Sequence, residues 1–331
     1  MIDVACPFPF SVSPHTAQAR ERLAVWTRET GLLRGPRARE RFGRADFGWF
    51  AALVYPTADA ETLKLMAEWF AWLFLVDDQL DDGDFGRSPE RMAQAVRLMR
   101  RILDDPAARP DTPLPPAADA LADLWRRTAG RASPAWRRRF ADHLELCLTT
   151  ATAWEGENRM RGAVPSESSY IANRRHTGAI YVCMDLIEIV EGVEVPAETY
   201  TAPAFRTALD AACDVVCWVN DVYSLSKERS LGEVHNLVFV VEHHRRLDER
   251  HALEEVGAAI AERTKTFLAA EERLLREHSG NASWLRPCLA GMRSWMRGNL
   301  DWSRRTQRYA SGSPDGDPGS YLEADLMDVR P

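Results

Sequence analysis

Lysine is almost absent from this chain of 331 residues: only Lys64, Lys227 and Lys265 occur among its 42 basic side chains, and arginine supplies the rest. The shortage indicates a GC-rich genome and carries no functional information. The chain also has 49 acidic residues and a formal net charge of −7. This balance excludes a basic surface for nucleic acid or anionic lipid, so we expect no nucleic-acid partner.

CxxC motifs and long apolar runs are missing too. The six cysteines show no CxxC motif and no spacing typical of a disulfide framework, so we expect reduced thiols. The first residues lack the basic start and apolar core of a signal peptide. No stretch approaches the roughly 18 uncharged apolar residues that span a membrane. We therefore expect a cytoplasmic protein without a membrane span, as a monomer or a homodimer.

Alternating apolar and polar runs with paired turn signals, which would predict a sheet, are not found either. Helical patterns fill the chain instead, and Ser13-Pro14 and Ser133-Pro134 each predict a capped helix start. The expected fold class is all-α. The patterns predict about eleven helices, at residues 14–30, 46–54, 59–82, 89–104, 117–129, 134–157, 167–191, 203–229, 234–247, 250–278 and 282–310.

An aspartate cluster directly follows an apolar, aromatic run at residues 69–76. It reads Asp77-Asp78-Gln79-Leu80-Asp81-Asp82 and places like charges four residues apart, where they repel on a helix. The carboxyl end of a helix disfavours anions further. This arrangement predicts a divalent-metal site at the mouth of an apolar cavity. A solvated acidic loop after a core helix is the alternative.

A second polar cluster occupies one face of a later helix. Asn220, Ser224 and Glu228 recur at four-residue intervals and offer an amide oxygen, a hydroxyl and a carboxylate. Such hard oxygen ligands suit Mg²⁺ or Mn²⁺ and argue against zinc. Alone, the cluster would favour a polar helix end with an Asn or Asp cap over a metal site. Two oxygen-ligand sets that each end an apolar helix favour a shared metal site.

These residues, taken together, resemble the bacterial class I terpene cyclases. Residues 77–81 resemble the DDxxD motif of that family, and residues 220–228 resemble its NDxxSxxxE motif, including Lys227 before the glutamate. Arg174 lies at the spacing of the family's diphosphate-sensing arginine, and Arg308-Tyr309 matches its carboxy-terminal Arg-Tyr pair. The resemblance extends over nearly the whole chain.

The resemblance implies a class I terpenoid synthase fold around a central apolar cavity, and it implies functional residues. The metal residues would be Asp77, Asp78, Asp81, Asn220, Ser224 and Glu228, holding three Mg²⁺ ions, with Mn²⁺ as a possible substitute. The diphosphate of a prenyl diphosphate substrate would be bound by Arg174, Lys227, Arg308 and Tyr309. In related enzymes Asp78 and Asp221 more often orient arginines than bind metal.

A helix break is also implied after the sensor arginine. Gly178 occupies the effector position, whose bare carbonyl would point toward the forming cation. Thr177 occupies a linker position that is commonly acidic in related enzymes, so this chain departs there from the family pattern for coupling between sensor and effector. Arg175, beside Arg174, is the rival sensor, and only the spacing favours Arg174.

Aromatic side chains could stabilise a carbocation through the faces of their rings. Phe74 lies on the helical face of Asp77, and Trp302 belongs to a stripe on the last predicted helix. Ordinary core packing is the alternative for either ring. Both are predicted to line the cavity.

The predicted enzyme ionises farnesyl diphosphate and forms a cyclic sesquiterpene hydrocarbon or alcohol. A diterpene synthase acting on geranylgeranyl diphosphate is the alternative, followed by a prenyl chain-elongation synthase and a non-catalytic metal-binding helical protein. The proline-rich stretch at 104–116 is too short to divide domains that must share one cavity. We therefore expect one catalytic domain at residues 1–310 and a flexible tail at 311–331.

Overall fold

The computed structural model describes residues 2–81, 88–105, 113–278, 282–309, 323, 326 and 327. Asp82 lies outside these residues, as does the side chain of Asp81. The described part of the chain contains fifteen α-helices, one short π-helical segment and no strand. The predicted all-α fold class is confirmed.

The helices follow one another along the chain with short connections. Their bounds are α1 Thr16–Glu29, α2 Pro36–Ala45, α3 Phe47–Val54, α4 Ala60–Asp81, α5 Pro89–Asp104, α6 Pro116–Ala129, α7 Pro134–Thr149, the π-helical segment Thr150–Glu155, α8 Gly156–Arg161, α9 Glu167–Thr177, α10 Ile180–Glu191, α11 Ala197–Thr201, α12 Pro203–Leu231, α13 Leu237–Arg245, α14 Glu249–Glu277 and α15 Leu285–Ser303.

The described helices outnumber the eleven predicted because two were missed and two were divided. The missed elements are α2, a polar helix with proline in its first turn, and the five-residue α11. The helix predicted at 134–157 changes to π geometry at Thr150. The helix predicted at 167–191 breaks where Ala179 adopts φ +53°, a left-handed conformation that cannot continue a right-handed helix.

Of the two helix starts predicted from Ser-Pro pairs, the one at Ser133-Pro134 has the expected side-chain cap and the one at Ser13-Pro14 does not. Ser133 accepts a hydrogen bond from Trp136 N–H at 3.2 Å, with Pro134 in the first turn of α7. Ser13 does not cap α1, which begins at Thr16. Its backbone N–H instead donates to the Ala52 carbonyl at 2.9 Å, which ties the start of the chain to α3.

Helix α12 lies at the centre of the bundle and packs against α9, α10, α13, α14 and α15. Helix α4 packs against α1, α3, α6 and α10. A cavity of about 630 Å³ lies where side chains of α4, α9, α10, α12 and α15 face one another. The predicted central cavity is therefore present. No described helix is long and apolar enough to cross a membrane.

Three positions of the predicted flexible tail are held by contacts. Leu326 and Met327 are buried. The Leu326 carbonyl accepts from Ala117 N–H at 3.0 Å, and the Glu323 carbonyl accepts from the Gln79 side chain at 3.1 Å. At these positions the tail packs on α4 and α6, because apolar side chains find a place in the core. For the remaining tail residues, flexibility stays a prediction.

Candidate active site

Residues from six separate parts of the chain line the cavity, and the predicted site residues come from four of these parts. The cavity lining includes every predicted site residue whose side chain the structure describes. These residues are Phe74, Asp77 and Asp78 on α4, Arg174 and Gly178 at the break, Asn220, Ser224, Lys227 and Glu228 on α12, and Trp302, Arg308 and Tyr309 at and beyond the end of α15. Asp81 cannot be placed, because its side chain lies outside the described residues. Polar groups and aromatic rings thus share one cavity.

The two adjacent aspartates at the end of α4 have different surroundings. The Asp77 side chain is 45% exposed and lies 3.8 Å from the Arg308 guanidinium. Asp78 is buried and accepts two hydrogen bonds from Arg308, at 2.8 and 3.1 Å. Burial alone would raise the pKa of Asp78, but the positive charges of Arg308 and Lys227 and the hydrogen bonds from Arg308 together outweigh it and lower the pKa. Asp78 therefore orients Arg308, while Asp77 faces the cavity mouth.

The predicted oxygen ligands on α12 form an ordered hydrogen-bond network. Ser224 donates to the Asn220 carbonyl at 2.8 Å, and Asn220 Nδ2 donates to the Tyr309 hydroxyl at 2.5 Å. Glu228 accepts from Asn236 Nδ2 at 2.8 Å. Burial raises the pKa of Glu228 to about 7, and the charge of Asp221 adds to the shift. A cation beside Glu228 would relieve both effects.

Arg174 is held by the neighbouring motif on α12. Its Nε donates to Asp221 Oδ1 at 3.0 Å, and its Nη2 donates to Asn220 Oδ1 at 2.8 Å. Asp221 is fully buried and also accepts from the Tyr170 hydroxyl at 2.6 Å and from Leu237 N–H at 3.1 Å. Because these donors take up its carboxylate oxygens, Asp221 serves to orient Arg174.

Position 178, at the break between α9 and α10, leaves little space for a side chain. A Cβ there would lie 3.1 Å from the Arg174 carbonyl and 3.3 Å from Cys217 Sγ. The backbone bonds around the break are Gly178 N–H to Arg174 O, Ala179 N–H to His176 O and Cys183 N–H to Ala179 O. The Gly178 carbonyl accepts none of these three, as expected for a carbonyl directed at a ligand.

Aromatic rings form part of the cavity wall. Trp302 stacks on Phe50 at 4.2 Å between ring centroids, and Phe74 stacks on Phe47 at 4.4 Å. Trp302 Nε1 also donates to the Ala45 carbonyl at 2.7 Å, so this residue has a packing role besides lining the cavity. Trp295 and Phe70 complete this part of the wall. The rings surround space into which a hydrocarbon chain could fold.

Sequence reasoning missed several residues around the site. Asn236 donates to Glu228 and to the Asp221 carbonyl, and Tyr170 holds Asp221. At the cavity rim, Glu233 accepts from Arg159 at 2.8 Å and from the His235 ring at 2.6 Å. Asn236 had a detectable signal, since an asparagine before an apolar run predicts a helix cap. The other contacts join distant segments and left no local pattern.

By themselves, the described side chains supply only part of the ligands that a divalent cation needs. Among the described residues, no three His, Cys, Asp or Glu side chains converge closely enough to hold a metal. The oxygen donors present are instead a carboxylate on α4 and an amide, a hydroxyl and a carboxylate on α12. Such a divided, all-oxygen set suits Mg²⁺ when an anionic ligand supplies the remaining oxygens.

Comparisons with known proteins agree on one family. A family model described as terpene synthase family 2, C-terminal metal binding, matches residues 68–266, which include both ligand sets. The chain is 36% identical to the (+)-T-muurolol synthase of Roseiflexus castenholzii, described as cyclising (2E,6E)-farnesyl diphosphate, with 92% of each chain covered. It is 33% identical to the (−)-delta-cadinene synthase of Streptomyces clavuligerus, covering 91% of this chain and 93% of that one. The crystal structure of linalool/nerolidol synthase from the same species matches with a TM-score of 0.81 and 28% identity, covering 91% of this chain and all of that one.

Proposed function

The chain belongs to terpene synthase family 2 and is a terpene cyclase with the class I terpenoid synthase fold, and we propose that it converts farnesyl diphosphate into a cyclic sesquiterpene hydrocarbon or alcohol, releasing diphosphate. The observation that carries the proposal is one cavity lined both by charged and oxygen-bearing side chains and by aromatic rings. The matched family model describes a metal-binding domain. Beyond this, we propose that the cavity holds three Mg²⁺ ions, which Mn²⁺ can replace.

The charged and polar residues of the cavity hold and orient the diphosphate. Asp77 on one side and Asn220, Ser224 and Glu228 on the other would hold the metal ions between them. When bound, Mg²⁺ would neutralise the charge of the diphosphate and so make it a better leaving group. Asp81 is a further candidate ligand, whereas the Asp78 carboxylate is taken up by Arg308.

Four cationic or hydroxyl groups would bind the diphosphate directly. Arg174 and Arg308 are each oriented by a buried carboxylate, Asp221 and Asp78, so their remaining N–H groups are preset toward the cavity. Lys227 and Tyr309 line the same end. Because the arginines are fixed before the substrate arrives, little ordering is needed when it binds.

The aromatic residues of the cavity wall exclude water and stabilise positive charge. Phe74 and Trp302 would contact the carbocation, each contributing about 0.5–2 kcal/mol through its ring face. The Gly178 carbonyl would add a negative dipole beside the forming cation. A dry cavity prevents early capture of the cation by water.

The second ligand set favours cyclisation over chain elongation, because it consists of an amide, a hydroxyl and a carboxylate rather than a second aspartate-rich motif. The name of the T-muurolol synthase relative supports farnesyl diphosphate as the substrate. Geranylgeranyl diphosphate, giving a diterpene, is the alternative. Cytoplasmic residence and a monomeric or homodimeric state are also part of the proposal.

Separate incubations with C10, C15 and C20 prenyl diphosphates and Mg²⁺, followed by headspace analysis and extraction, test the substrate. We expect cyclic C15 products, loss of turnover with a chelator, and recovery with Mg²⁺ or Mn²⁺. Cyclic C20 product alone would replace the sesquiterpene assignment with a diterpene one. A longer prenyl diphosphate formed with isopentenyl diphosphate would show chain elongation instead.

A further inference from the structure

One carboxylate on α12 binds both helices that flank the break. Asp210 Oδ2 lies 3.3 Å from Arg175 Nη1, in the last turn of α9. Its other oxygen, Oδ1, accepts from the Tyr181 hydroxyl at 2.8 Å, in the first turn of α10. Arg175 precedes residues 178–179, and Tyr181 follows them. Asp210 therefore bridges the break from the outside.

A second carboxylate fixes the register of α9 against α12. Asp214 is buried and accepts two hydrogen bonds from Arg175, at 2.6 and 2.9 Å. Arg263, from α14, binds the same carboxylate at 2.5 Å. Such bidentate pairs constrain geometry as well as adding energy. Because Arg175 is held in this way, the preceding residue, Arg174, is directed toward the other end of α12.

The carboxylates that serve the two arginines lie on one face of α12. Asp210, Asp214 and Asp221 are separated by four and seven residues, which places them in one row along the helix. Adjacent arginines on α9 thus bind the same row at two points. Arg174 faces the cavity and the metal motif, while Arg175 binds away from it.

The break needs such restraint because its backbone is strained. Ala179 has φ +53°, a conformation that is costly for a residue with a Cβ and persists only where the surroundings enforce it. The Thr177 hydroxyl is buried and has no hydrogen-bond partner among the described residues. The side chain at the linker position therefore does not hold the break. The described side-chain contacts that span it include the bridge from Asp210 on α12 and the packing of the His176 ring against the Tyr181 ring, 5.1 Å between centroids.

We propose that Asp210, together with Arg175 and Tyr181, is a positioning clamp that holds the helix break in its active geometry. The clamp keeps the Gly178 carbonyl and the Arg174 guanidinium in a fixed relation, so that ionisation and the first ring closure occur with the chain correctly placed. None of the three residues lines the cavity. The inference rests on the proposed function for its effect on the reaction, although the clamp itself exists without substrate.

Tyr181→Phe tests the clamp by removing one arm of it. Tyr200→Phe is the matched control, because Tyr200 donates to the buried Asp185 at 3.0 Å and lies outside the break. In the ligand-free proteins, hydrogen exchange at the amides of 178–183 should accelerate at least about tenfold in Tyr181→Phe and stay unchanged in Tyr200→Phe. Unchanged exchange in Tyr181→Phe would overturn the clamp.

Kinetics and products separate positioning from plain stabilisation. With the C15 substrate, Tyr181→Phe should lower kcat by about ten- to a hundredfold, since a displacement of about 1 Å can cost that much. KM should change little, and the acyclic fraction of the products should rise. A normal kcat and product profile, or the same changes in Tyr200→Phe, would overturn the proposal.

Rescue provides a second test. Glycine adopts the left-handed conformation without strain, so adding Ala179→Gly to Tyr181→Phe should restore part of kcat and the cyclic products, with Ala179→Gly alone as the reference. No recovery would contradict the clamp. If Tyr181→Phe does not fold, Asp210→Asn replaces it, with the same expected exchange and the same contradicting result. The wild-type incubations decide the proposed function separately, because the exchange measurement needs no substrate.

Discussion

Asp77 and Asp78 are neighbours in the sequence, yet only one of them faces the cavity mouth. Asp78 is paired with Arg308 in the protein interior, where its charge is compensated. Asp77 is 45% exposed and lies farther from that guanidinium. The alternation arises because successive residues of a helix point in directions about 100° apart. Substitution of the two aspartates should therefore have different consequences.

We predict that Asp77→Ala abolishes turnover without loss of stability, since it removes a proposed metal ligand and relieves repulsion in a crowded acidic cluster. Asp78→Ala should abolish turnover and also destabilise the fold by roughly 3–5 kcal/mol, because the buried Arg308 would lose the carboxylate to which it donates two hydrogen bonds. Product assays and urea unfolding measure the two effects. Full activity of folded Asp77→Ala would remove this residue from the metal site.

The two predicted cavity aromatics should also differ. Phe74→Leu is expected to shift products toward acyclic or monocyclic material while diphosphate release continues, because the wall stays apolar but loses a ring face. Trp302→Leu should shift products and lower the thermal midpoint as well, since Trp302 is fully buried and donates to the Ala45 carbonyl. Gas chromatography and thermal unfolding test both variants. An unchanged product profile at a normal rate would assign that residue to the core alone.

At the scale of elements, the turn between α12 and α13 connects capping with the metal site. Asn236 accepts from Val238 N–H at 2.8 Å as the cap of α13. Its Nδ2 group donates to Glu228 and to the Asp221 carbonyl. The start of one helix thereby orients a proposed ligand at the end of the preceding helix.

Asn236→Ala should lower stability by about 1–2 kcal/mol through the lost cap and should also raise the Mg²⁺ concentration needed for half-maximal turnover. Ser133→Ala is the control, because Ser133 caps α7 through Trp136 N–H and does not line the cavity. It should lose a similar amount of stability and keep its Mg²⁺ dependence. Equal Mg²⁺ dependence in both variants would show that Asn236 acts only as a cap.

At the scale of the whole molecule, the end of the chain returns to the helix that carries the aspartate motif. Glu323 accepts from the backbone N–H groups of Arg34 and Gly35, both at 2.6 Å, and its carbonyl accepts from Gln79. Leu326 and Met327 are buried nearby on the same segment. These contacts join the α1–α2 connection, α4 and α6.

A chain that ends at residue 322 should therefore be less stable than one that ends at residue 327. The shorter chain loses two buried apolar side chains, worth roughly 1.5–3 kcal/mol each, and leaves Ala117 N–H without its acceptor. The longer chain keeps these contacts and should unfold at the same urea concentration as the full-length protein. Equal midpoints for both truncations would show that the segment contributes nothing to stability.

The sequence by itself determined the fold class and most of the proposed site. Helical periodicity is a local property, so the four-residue spacing of Asn220, Ser224 and Glu228 is enough to place their side chains on one face of α12. The all-α class followed in the same way, from the lack of strand patterns and the regular helix signals. The apolar face that ends at Asp77 likewise predicted a cavity wall.

Tertiary structure alone decided which polar groups bind each other. The pairing of Asp78 with Arg308, the bridge from Asp210 across the break and the packing of Leu326 all join residues far apart in the chain. No local pattern encodes such pairs, because a carboxylate or an apolar side chain reads the same whether its partner is a metal, an arginine or the core. The left-handed Ala179 has the same origin: intrinsic preference opposes it, and only packing from α12 and its neighbours holds it there.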